Sequence, residues 1–477
     1  MTRLVMGPFS RVEGDLEVRL DVEDGQVAAA FVTAPLYRGF EQILRGRPPM
    51  DALVIAPRVC GICSVAQSAA AARALGAAMG LQPPLNGRFA ADLIQSCENA
   101  VDHLTHFTLF FMPDFARPAY AGRPWHDEAV QRFAAMKGQS GRAATAARAR
   151  MLHVVGILAG KWPHSLALQP GGTTKSIDMG ERMRLLAVLA EFRAFLEHQI
   201  FADRLERVAA LASAEALHGW AAEQPPQAGD FRLFLHIAED LRLDQWGRGP
   251  QRFLSHGGPL GGAGMWRQGV VEPLDLSALR EDVSHAWMTG AAVHPDHGLT
   301  LPDADKPDAY SWCKAPRLGG ETAEVGALAR QLIAGHPLVR DLVALSDGRG
   351  NVRDRVIARI LELALLVPAM EGWVRGIGID GPYCLNGVMP DNAYGVGLVE
   401  AARGSLGHWL SVEDGRIANY QIVSPTTWNF SPRDGQGNPG PLEQALVGVP
   451  VVEGDDMPLM VQHIVRSFDP CLNCTVH

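Results

Sequence analysis

Long hydrophobic runs are missing from this 477-residue chain. A helix needs about 18 consecutive apolar residues to span a bilayer, and the apolar stretches here, such as residues 361–367, which include Glu362, are far shorter. Runs of lysine or arginine are missing as well, and the formal net charge is -9. The sequence therefore predicts neither a membrane span nor a nucleic-acid surface, which needs clustered basic side chains.

Cysteine is scarce too. The chain has seven cysteines, far fewer than a disulfide scaffold of this length would need. The first fifteen residues also lack the apolar stretch of a secretory signal peptide. Both features favour a reduced, cytoplasmic protein. The remaining composition, 47% hydrophobic and 20% charged, is that of an ordinary globular protein.

Apolar residues recur at three- and four-residue spacing through much of the chain, which predicts helices. The predicted helices cover residues 87–112, 139–160, 178–214, 323–345 and 351–374. Alternating apolar and polar residues predict β-hairpins at 3–33 and 408–423, with turns at 23–25 and 413–415. The expected fold class is α+β, mainly α: a long central helical bundle with small β-hairpins near both chain ends.

Stretches rich in proline and glycine interrupt the helices at 163–172, 248–264 and 378–397. Because none of these stretches is of low complexity, we interpret them as loops within one fold rather than as linkers. The chain is therefore expected to form one intertwined unit over residues 1–477. Residues 218–320 have the least regular pattern and are the candidate for a peripheral lobe.

Four of the seven cysteines form two Cys-x-x-Cys pairs, Cys60 with Cys63 and Cys471 with Cys474. Four thiolates suit a soft metal ion. About 400 residues separate the two pairs, whereas the pairs of a zinc ribbon usually lie within a few tens of residues. The tertiary fold would therefore have to assemble this metal site. Spacing alone leaves zinc and an iron–sulfur cluster open as alternatives.

The residues around the four cysteines resemble the two signature motifs of nickel–iron hydrogenase large subunits. The first motif is RVCGIC at 58–63, and the second is DPCLNCTVH at 469–477. Further stretches resemble the same family in the same order: RVEG at 11–14, RGFE at 38–41, PH at 163–164, GG at 171–172, YSWCKAPR at 310–317, EVGALAR at 324–330, EAARGSLGHW at 400–409 and SPTTWNFSPRD at 424–434. So many ordered matches are not expected by chance.

This resemblance implies a nickel–iron centre. Cys60 and Cys471 would be terminal nickel ligands, while Cys63 and Cys474 would bridge nickel to iron. The iron would also carry CO and cyanide, which no side chain can supply. The implied reaction is the heterolytic cleavage of H₂ to protons and electrons.

The electrons need an exit from the chain. Cys97, Cys313 and Cys384 are isolated in the sequence and do not form a cluster motif. The iron–sulfur clusters that would take the electrons are therefore expected on a partner, the small subunit of the family.

Several other residues match family positions around the metals. Arg403 would lie over the open side of the metal pair, where its fixed charge and its fork of donors suit H₂ and cyanide nitrogen. Asp102 and Asp469 would hold this arginine and its surroundings. The hydroxyl of Thr426 or of Thr427 would bind a cyanide.

Glu13 is the predicted proton carrier, because a proton released near the metals needs a nearby group that can relay it. The resemblance also implies a magnesium site made of Glu41, His477 and a backbone carbonyl near Ile422. A histidine ligand would be unusual there, since magnesium prefers oxygen.

Four positions depart from the common family pattern. Gln67 stands where common members have a titratable histidine, and this glutamine and the short chain resemble the H₂-sensing, regulatory hydrogenases. Ile62 and Phe110 correspond to gas-path positions that are commonly valine and leucine. Phe110 is expected on the helix face of Asp102, two turns away. Ala402 stands where many members have proline.

The leading interpretation is the large subunit of a cytoplasmic, H₂-sensing nickel–iron hydrogenase that reports to a signalling protein such as a histidine kinase. One alternative is a catalytic uptake hydrogenase with the same chemistry. Two others are a non-catalytic hydrogenase-like subunit and a structural zinc protein. The four cysteines argue against the non-catalytic subunit, which would not need them.

Overall fold

Two long helices, Leu85–Thr105 and Val352–Gly376, pack against each other at the centre of the molecule. The structure is a computed structural model that describes residues 2–452, 454 and 457–477. The second helix starts where the Asn351 side chain accepts a hydrogen bond from Asp354 N–H at 2.9 Å, which satisfies one of the free donors of the first turn. One hydrophobic core extends from this helix pair to the four motif cysteines.

The other helices surround this pair, and their bounds are Phe40–Leu44, Ala52–Ile55, Ser64–Ala78, His126–Phe133, Gln139–Met151, His153–Ala159, Met179–Phe195, Leu205–Ala209, Ala214–Ala222, Asp230–Asp240, Ala327–Ala334, Pro337–Leu345, Pro425–Asn429, Pro441–Leu446, Leu459–Ser467 and Leu472–Thr475. Two π-helical segments, His106–Phe111 and Leu196–Phe201, extend longer helices. The mainly helical α+β class is confirmed. No helix in the described residues is long and apolar enough to cross a membrane.

Both predicted hairpins exist, and each belongs to a three-stranded antiparallel sheet. The N-terminal sheet contains Thr2–Met6, Glu17–Glu23 and Gln26–Thr33, and the C-terminal sheet contains Ala393–Ala401, Gly404–Glu413 and Arg416–Val423. Asp24 and Gly25 have φ of 50° and 74°, and Asp414 and Gly415 have φ of 49° and 71°. Two consecutive residues with positive φ are the requirement of a tight hairpin turn, which explains the Asp-Gly pair in both places.

The strand Ala393–Ala401 lies partly in a segment that was expected to be a loop. Glycines hid its alternating pattern, because this strand lies directly on the helix Ser64–Ala78. A Cβ atom on Gly397 would be 1.9 Å from the carbonyl oxygen of Ala70. Only glycine permits this approach, and the contact fixes the C-terminal sheet against the helix that starts after Cys63.

Some predicted helix bounds are wrong. The segments 139–160 and 178–214 are each interrupted, and 87–112 is α-helical only to Thr105. The helix Ser64–Ala78 was not predicted, because it is alanine-rich and buried on nearly every side. A helix that is apolar all round lacks the stripe that reveals a surface helix.

The segment 218–320 combines two kinds of structure. Helix Asp230–Asp240 contributes Phe231 and Phe234 to the main core. Short strands follow at Arg252–Ser255, Gly264–Arg267, Val270–Glu272 and Leu279–Asp282, and the last pairs with Ala315–Leu318. These strands supply Leu254, Leu279 and Leu318 to a second, smaller apolar cluster. That the segment is a peripheral lobe stays a prediction.

Candidate metal centre

Cys60, Cys63, Cys471 and Cys474 come together at one buried point. Their four sulfur atoms all lie within 4.8 Å of one another. Cys63 Sγ is 2.8 Å from Cys474 Sγ, and Cys60 Sγ is 3.5 Å from Cys471 Sγ. The fold therefore unites the two distant motifs into one four-thiol site.

Short, well-anchored segments carry these thiols. Cys60 and Cys63 lie between a 3₁₀ turn at Ala56–Val59 and the helix Ser64–Ala78. Cys471 follows the helix Leu459–Ser467 after three residues. Arg38 joins the two motifs, because its guanidinium donates to the carbonyl oxygens of Val59, at 2.6 Å, and of Asn473.

The four thiols hydrogen-bond to one another, so their acidities differ. Contacts from the other three sulfur atoms lower the pKa of Cys60 well below its ordinary value. The contact with Cys471 raises the pKa of Cys63, and burial raises that of Cys474. Cysteine binds metals as thiolate, so a site that already stabilises one thiolate suits a metal ion.

Arg403 lies beside the thiols, in the two-residue turn between the strands Ala393–Ala401 and Gly404–Glu413. Its Nε and Nη2 donate to the backbone and side-chain oxygens of Asp469 at 3.0 and 3.1 Å. Its Nη1 lies 3.1 Å from Asp102 Oδ2 without hydrogen-bond geometry, so both atoms are buried without a hydrogen-bond partner. The arginine therefore has one donor group that remains available towards a ligand.

Burial and neighbouring charges have opposing effects on the pKa values of Arg403 and of the two carboxyls beside it. Burial disfavours its charged form, but Asp102 and Asp469 raise the pKa of Arg403 well above its ordinary value. Burial raises the pKa of Asp102. Burial acts in the same sense on Asp469, but Arg403 outweighs it and lowers the pKa of that carboxyl. A permanent positive charge beside the thiols is the result.

The two candidate threonines have different partners. Thr427 Oγ1 is 2.9 Å from Ser424 Oγ, within a capping box that starts the helix Pro425–Asn429. Thr426 Oγ1 instead accepts a hydrogen bond from Cys471 N–H at 3.2 Å. Thr427 Oγ1 also donates to the Thr475 carbonyl oxygen at 3.4 Å. Both hydroxyls therefore contact the second motif, but it is Thr426 whose hydroxyl contacts a cysteine. The neighbouring candidate Ala402 accepts from Arg330 Nη2 through its carbonyl oxygen at 3.1 Å.

Three hydrogen bonds join Glu13 to the second cysteine motif. Its N–H donates to the carbonyl oxygen of Pro470 at 3.3 Å, and its carbonyl oxygen accepts from Leu472 N–H at 2.7 Å. Its side chain accepts from Asn473 Nδ2 at 2.8 Å. The carboxylate is half-buried, so it lies between the thiol-bearing segment and the outside of the chain.

Glu41 and His477 meet in a second buried cluster. His477 Nε2 is 3.3 Å from Glu41 Oε1, and His477 Nδ1 is 2.9 Å from the carbonyl oxygen of Cys474. Ile422 N–H lies 2.8 Å from Glu41 Oε1, and the role of a backbone carbonyl near Ile422 as a magnesium ligand stays a prediction. The N–H is free for this contact because Ile422 lies on the outer strand of its sheet.

Sequence reasoning missed four further members of this cluster, one of which, Thr300, donates its hydroxyl to Glu41 Oε2. Lys314 Nζ lies 3.3 Å from Glu41 Oε2, 3.1 Å from Glu281 Oε2 and 2.8 Å from Gln421 Oε1. Burial opposes ionisation of Glu41, but Lys314 and His477 lower its pKa to about 2. Lys314 falls in the family-like stretch YSWCKAPR, a signal that could have singled it out, whereas Glu281 and Gln421 carry no local signal.

Comparison with known proteins places the chain in a family. The family model described as nickel-dependent hydrogenase matches residues 38–123 and 143–477. The chain belongs to the nickel-dependent hydrogenases. It is 30% identical to the periplasmic [NiFeSe] hydrogenase large subunit of Desulfomicrobium baculatum, over 100% of this chain and 95% of that protein. It is 26% identical to the hydrogenase-2 large chain of Escherichia coli K12, over 100% and 97%.

Solved structures agree with the sequence comparison. The reduced, active form of the Ni-Fe-Se hydrogenase from Desulfomicrobium baculatum superposes with a TM-score of 0.84 at 29% identity, and both chains are covered completely. The Ni-Fe-Se hydrogenase from D. vulgaris Hildenborough gives the same TM-score and coverage. The fold is thus that of a hydrogenase large subunit, and the assignment as a hydrogenase, an oxidoreductase, is confirmed.

Gln67 of this hydrogenase has a fixed orientation. Its Oε1 accepts from His408 Nε2 at 2.8 Å, and His408 Nδ1 lies 2.7 Å from the Tyr420 hydroxyl. Burial lowers the pKa of His408 to about 3, so the ring is neutral. Gln67 therefore belongs to a buried chain of neutral hydrogen-bonding groups on the first turn of the helix that follows Cys63.

The two gas-path candidates have different surroundings. Ile62 lies between two motif cysteines and packs against the core. The α-helix ends at Thr105, and residues 106–111 form a π-helix with a wider turn. The expected position of Phe110, two regular turns from Asp102 on one face, is therefore wrong. Phe110 is only half-buried, and its carbonyl oxygen accepts from Arg11 Nη1 at 3.3 Å.

Proposed function

We propose that this chain is the large subunit of an H₂-oxidising, uptake-type nickel–iron hydrogenase. The observation that carries the proposal is the buried four-thiol site with the Arg403 guanidinium beside it. Relatives matched over the full chain are named as periplasmic, uptake and quinone-reactive hydrogenases. Their names support a role in H₂ turnover over the sensing role expected from the sequence.

The residues fit a nickel–iron pair. Four buried sulfur donors within 4.8 Å of one another suit soft metals, and Arg403 Nη1 is a buried donor without a hydrogen-bond partner. Cys60 and Cys471 would bind nickel, and Cys63 and Cys474 would be shared with an iron that carries CO and cyanide. When bound, such a pair would polarise H₂ and accept its two electrons.

The residues of the chain would then act on the products and ligands of this reaction, H₂ → 2H⁺ + 2e⁻. Arg403 supplies a fixed positive charge and an Nη1 that makes no hydrogen bond. Together they would orient polarised H₂ and a cyanide nitrogen. Thr426 offers a hydroxyl donor to a second diatomic ligand. Asp469 and Asp102 keep the guanidinium in place.

Replacing Arg403 with lysine is expected to lower kcat for H₂ oxidation about a hundredfold, the usual cost of losing one preorganised charged donor. A lysine ammonium cannot bridge Asp469 and Asp102 and also face the ligands. Metal content should stay at the parental level, because Arg403 is not a thiol ligand. Parental kcat in Arg403→Lys would remove this residue from the reaction.

Glu13 is proposed to carry the proton away. It lies one hydrogen bond from Asn473, within the second cysteine motif, and its half-buried carboxylate leads towards solvent. A positioned carboxylate is a suitable general base for this step.

The Glu41 cluster fits a magnesium ion. His477 Nε2 and Glu281 Oε1 are both buried without a hydrogen-bond partner, and Glu41 supplies a second carboxylate. Magnesium prefers such oxygen donors. Burial raises the pKa of Glu281, and a bound cation would favour the charged form of this carboxyl. The ion would fix His477 and, through the Cys474 carbonyl, the second thiol pair.

Ile62 and Phe110 are proposed to narrow the path of gases to the site. The double variant Ile62→Val with Phe110→Leu should keep its anaerobic H₂ oxidation and lose activity under O₂ faster than the parent, because O₂ is larger than H₂ and tight packing responds to single methylene groups. The fold should hold, since Ile→Val typically costs about 0.5–1.5 kcal/mol. Equal O₂ inactivation rates in both proteins would mean that these side chains are ordinary packing.

Electrons are proposed to leave to a small subunit that carries iron–sulfur clusters. Cys97 and Cys313 are buried away from the thiol site, and Cys384 is an isolated, half-buried cysteine. The described residues therefore offer no second four-cysteine group for a cluster. Cytoplasmic location, by contrast, rests on the sequence prediction alone.

The test of the proposal is H₂-dependent reduction of an artificial electron acceptor by the chain purified with its small subunit. Sustained turnover with equal amounts of nickel and iron is the expected result. A preparation that holds zinc alone and does not oxidise H₂ would contradict it and would favour a structural four-thiolate zinc site.

A second candidate function is H₂ sensing, which Gln67 favours. A neutral glutamine held by His408 replaces a group that could titrate. Slow H₂ oxidation together with H₂-dependent phosphorylation of a partner histidine kinase would support sensing. Fast turnover with no such effect would support the uptake role.

A further inference from the structure

The loop that carries Glu13 is held by tertiary hydrogen bonds at two of its residues, Ser10 and Glu13. Residues 7–16 connect the strands Thr2–Met6 and Glu17–Glu23 and lie outside the sheet, where Glu13 forms an isolated parallel β-bridge with Cys471. The second cysteine motif holds Glu13 itself. Three residues earlier, Ser10 is held by Arg466, whose Nε and Nη2 donate to the Ser10 carbonyl oxygen at 3.2 and 2.8 Å.

A second arginine, Arg11, belongs to the loop itself and also fixes it by hydrogen bonds. Its backbone has φ of 57°, a left-handed conformation that few residues other than glycine adopt, so its conformation depends on tertiary contacts. Its guanidinium donates to the carbonyl oxygen of Phe110 at 3.3 Å and to Asp114 Oδ1. The π-helical segment that displaced Phe110 from its expected place thus presents a backbone acceptor to the loop.

The buried carboxylate of Asp114 accepts hydrogen bonds from both arginines that fix the loop, Arg11 and Arg466. Its Oδ1 accepts from Arg11, and its Oδ2 accepts from Arg466 Nη1 at 2.7 Å. His463 Nδ1 lies 3.2 Å from Oδ2, and Arg117 Nη2 lies 3.1 Å from Oδ1. Burial opposes ionisation, but His463, Arg466 and Arg11 lower the pKa of Asp114 far below its usual range.

This network also reaches the metal site from the other side. Arg466 lies on the helix Leu459–Ser467, three residues before Asp469, and its carbonyl oxygen is 2.7 Å from His106 Nε2. Asp114 lies in the 3₁₀ turn Met112–Ala116, which continues the chain that carries Asp102. The loop with Glu13, the segment with Asp102 and the segment before Cys471 therefore converge on one carboxylate.

We propose that Asp114 is a positioning residue for proton transfer: through Arg11 and Arg466 it fixes the loop of residues 10–14 and hence the place of the Glu13 carboxylate beside the Cys471–Cys474 segment. The inference rests on the proposed function, in which Glu13 carries the proton. Asp114 does not itself contact the thiols or the substrate.

The test is the variant Asp114→Asn in the complete complex with the small subunit. Arg11 and Arg466 contact different oxygens of Asp114, so in the amide one of the two arginines would face an NH₂ donor instead of an acceptor. H₂/D⁺ exchange is expected to fall between about tenfold and a hundredfold, the cost of misplacing a reacting group by about 1 Å. Metal content and the infrared bands of the centre should remain parental, which a general loss of structure would not allow.

Two further variants make the result specific to Glu13. In the Glu13→Gln background, Asp114→Asn should cause no further loss, because residues that act through one group are not additive. Arg117→Gln removes a cation from the same carboxylate, and its other contact is with Gln462 rather than with the loop. It should exchange at about the parental rate.

If Asp114→Asn does not take up metal, the variant Arg11→Lys tests the positioning role of Asp114 instead. The Arg11 side chain is partly exposed, and lysine cannot reach Phe110 and Asp114 at once, so exchange should fall with an intact centre. Parental exchange in metal-loaded Asp114→Asn or Arg11→Lys overturns the inference, as does an equal further loss in the Glu13→Gln background. If Glu13→Gln itself exchanges at the parental rate, the proton route of the proposed function fails instead.

Discussion

Replacing Cys471 with serine is expected to abolish H₂ oxidation and nickel retention. Its sulfur lies 3.5 Å from that of Cys60 and 3.2 Å from that of Cys474, so it belongs to both pairs of the site. A serine hydroxyl is a hard donor that stays protonated at neutral pH, and it cannot replace a thiolate on a soft metal. Nickel content by elemental analysis and H₂-dependent reduction of an acceptor dye are the two measurements.

The matched control is Cys384→Ser, which changes an isolated, half-buried thiol. It should keep its nickel and its activity, because that sulfur donates only to its neighbouring Leu385 carbonyl oxygen at 3.6 Å. Full nickel content and full activity in Cys471→Ser would contradict the four-thiol assignment.

Replacing Glu13 with glutamine is expected to leave the metal centre intact and to reduce H₂/D⁺ exchange about a thousandfold, within the usual range for removal of a general acid–base group. The amide is nearly isosteric, and its oxygen can still accept the 2.8 Å hydrogen bond from Asn473. It cannot take up and release a proton at neutral pH. Isotope exchange followed by mass spectrometry, together with infrared spectra of the same sample, measures both halves of this expectation.

Asp15→Asn is the control for this variant. It removes a carboxylate from the same loop, at an exposed position two residues away, and it should exchange at the parental rate. If Glu13→Gln exchanges like the parent, the proton must leave by another group.

The elements of the site could be predicted from the sequence where local chemistry is distinctive. The two Cys-x-x-Cys pairs identify the four candidate metal ligands directly. Arg403 and Asp469 could be predicted because the residues around them resemble the family motifs. Which threonine contacts the cysteines did not follow, because the answer depends on the capping box that occupies Thr427.

The rest depended on tertiary contacts that leave little trace in one sequence. In the sequence Gly397 is typical of a loop. Only the structure shows that it is a strand residue in close contact with the helix at Ala70. The π-helix at 106–111 interrupts the regular turns on which the predicted position of Phe110 depended, although the apolar spacing continues through it. Asp114 looks like an ordinary polar residue of a turn, and only the fold places two distant arginines on its carboxylate.

Infrared spectroscopy of the purified complex tests the central claim most directly. The bands of CO and cyanide lie in a spectral region where protein groups do not absorb strongly, and no side chain of this chain can supply these ligands. We expect bands from both ligands in a sample with nickel and iron in equal amounts bound at Cys60, Cys63, Cys471 and Cys474. A metal-loaded sample with no such bands, and with zinc as its only metal, would contradict the assignment of a nickel–iron centre to this site.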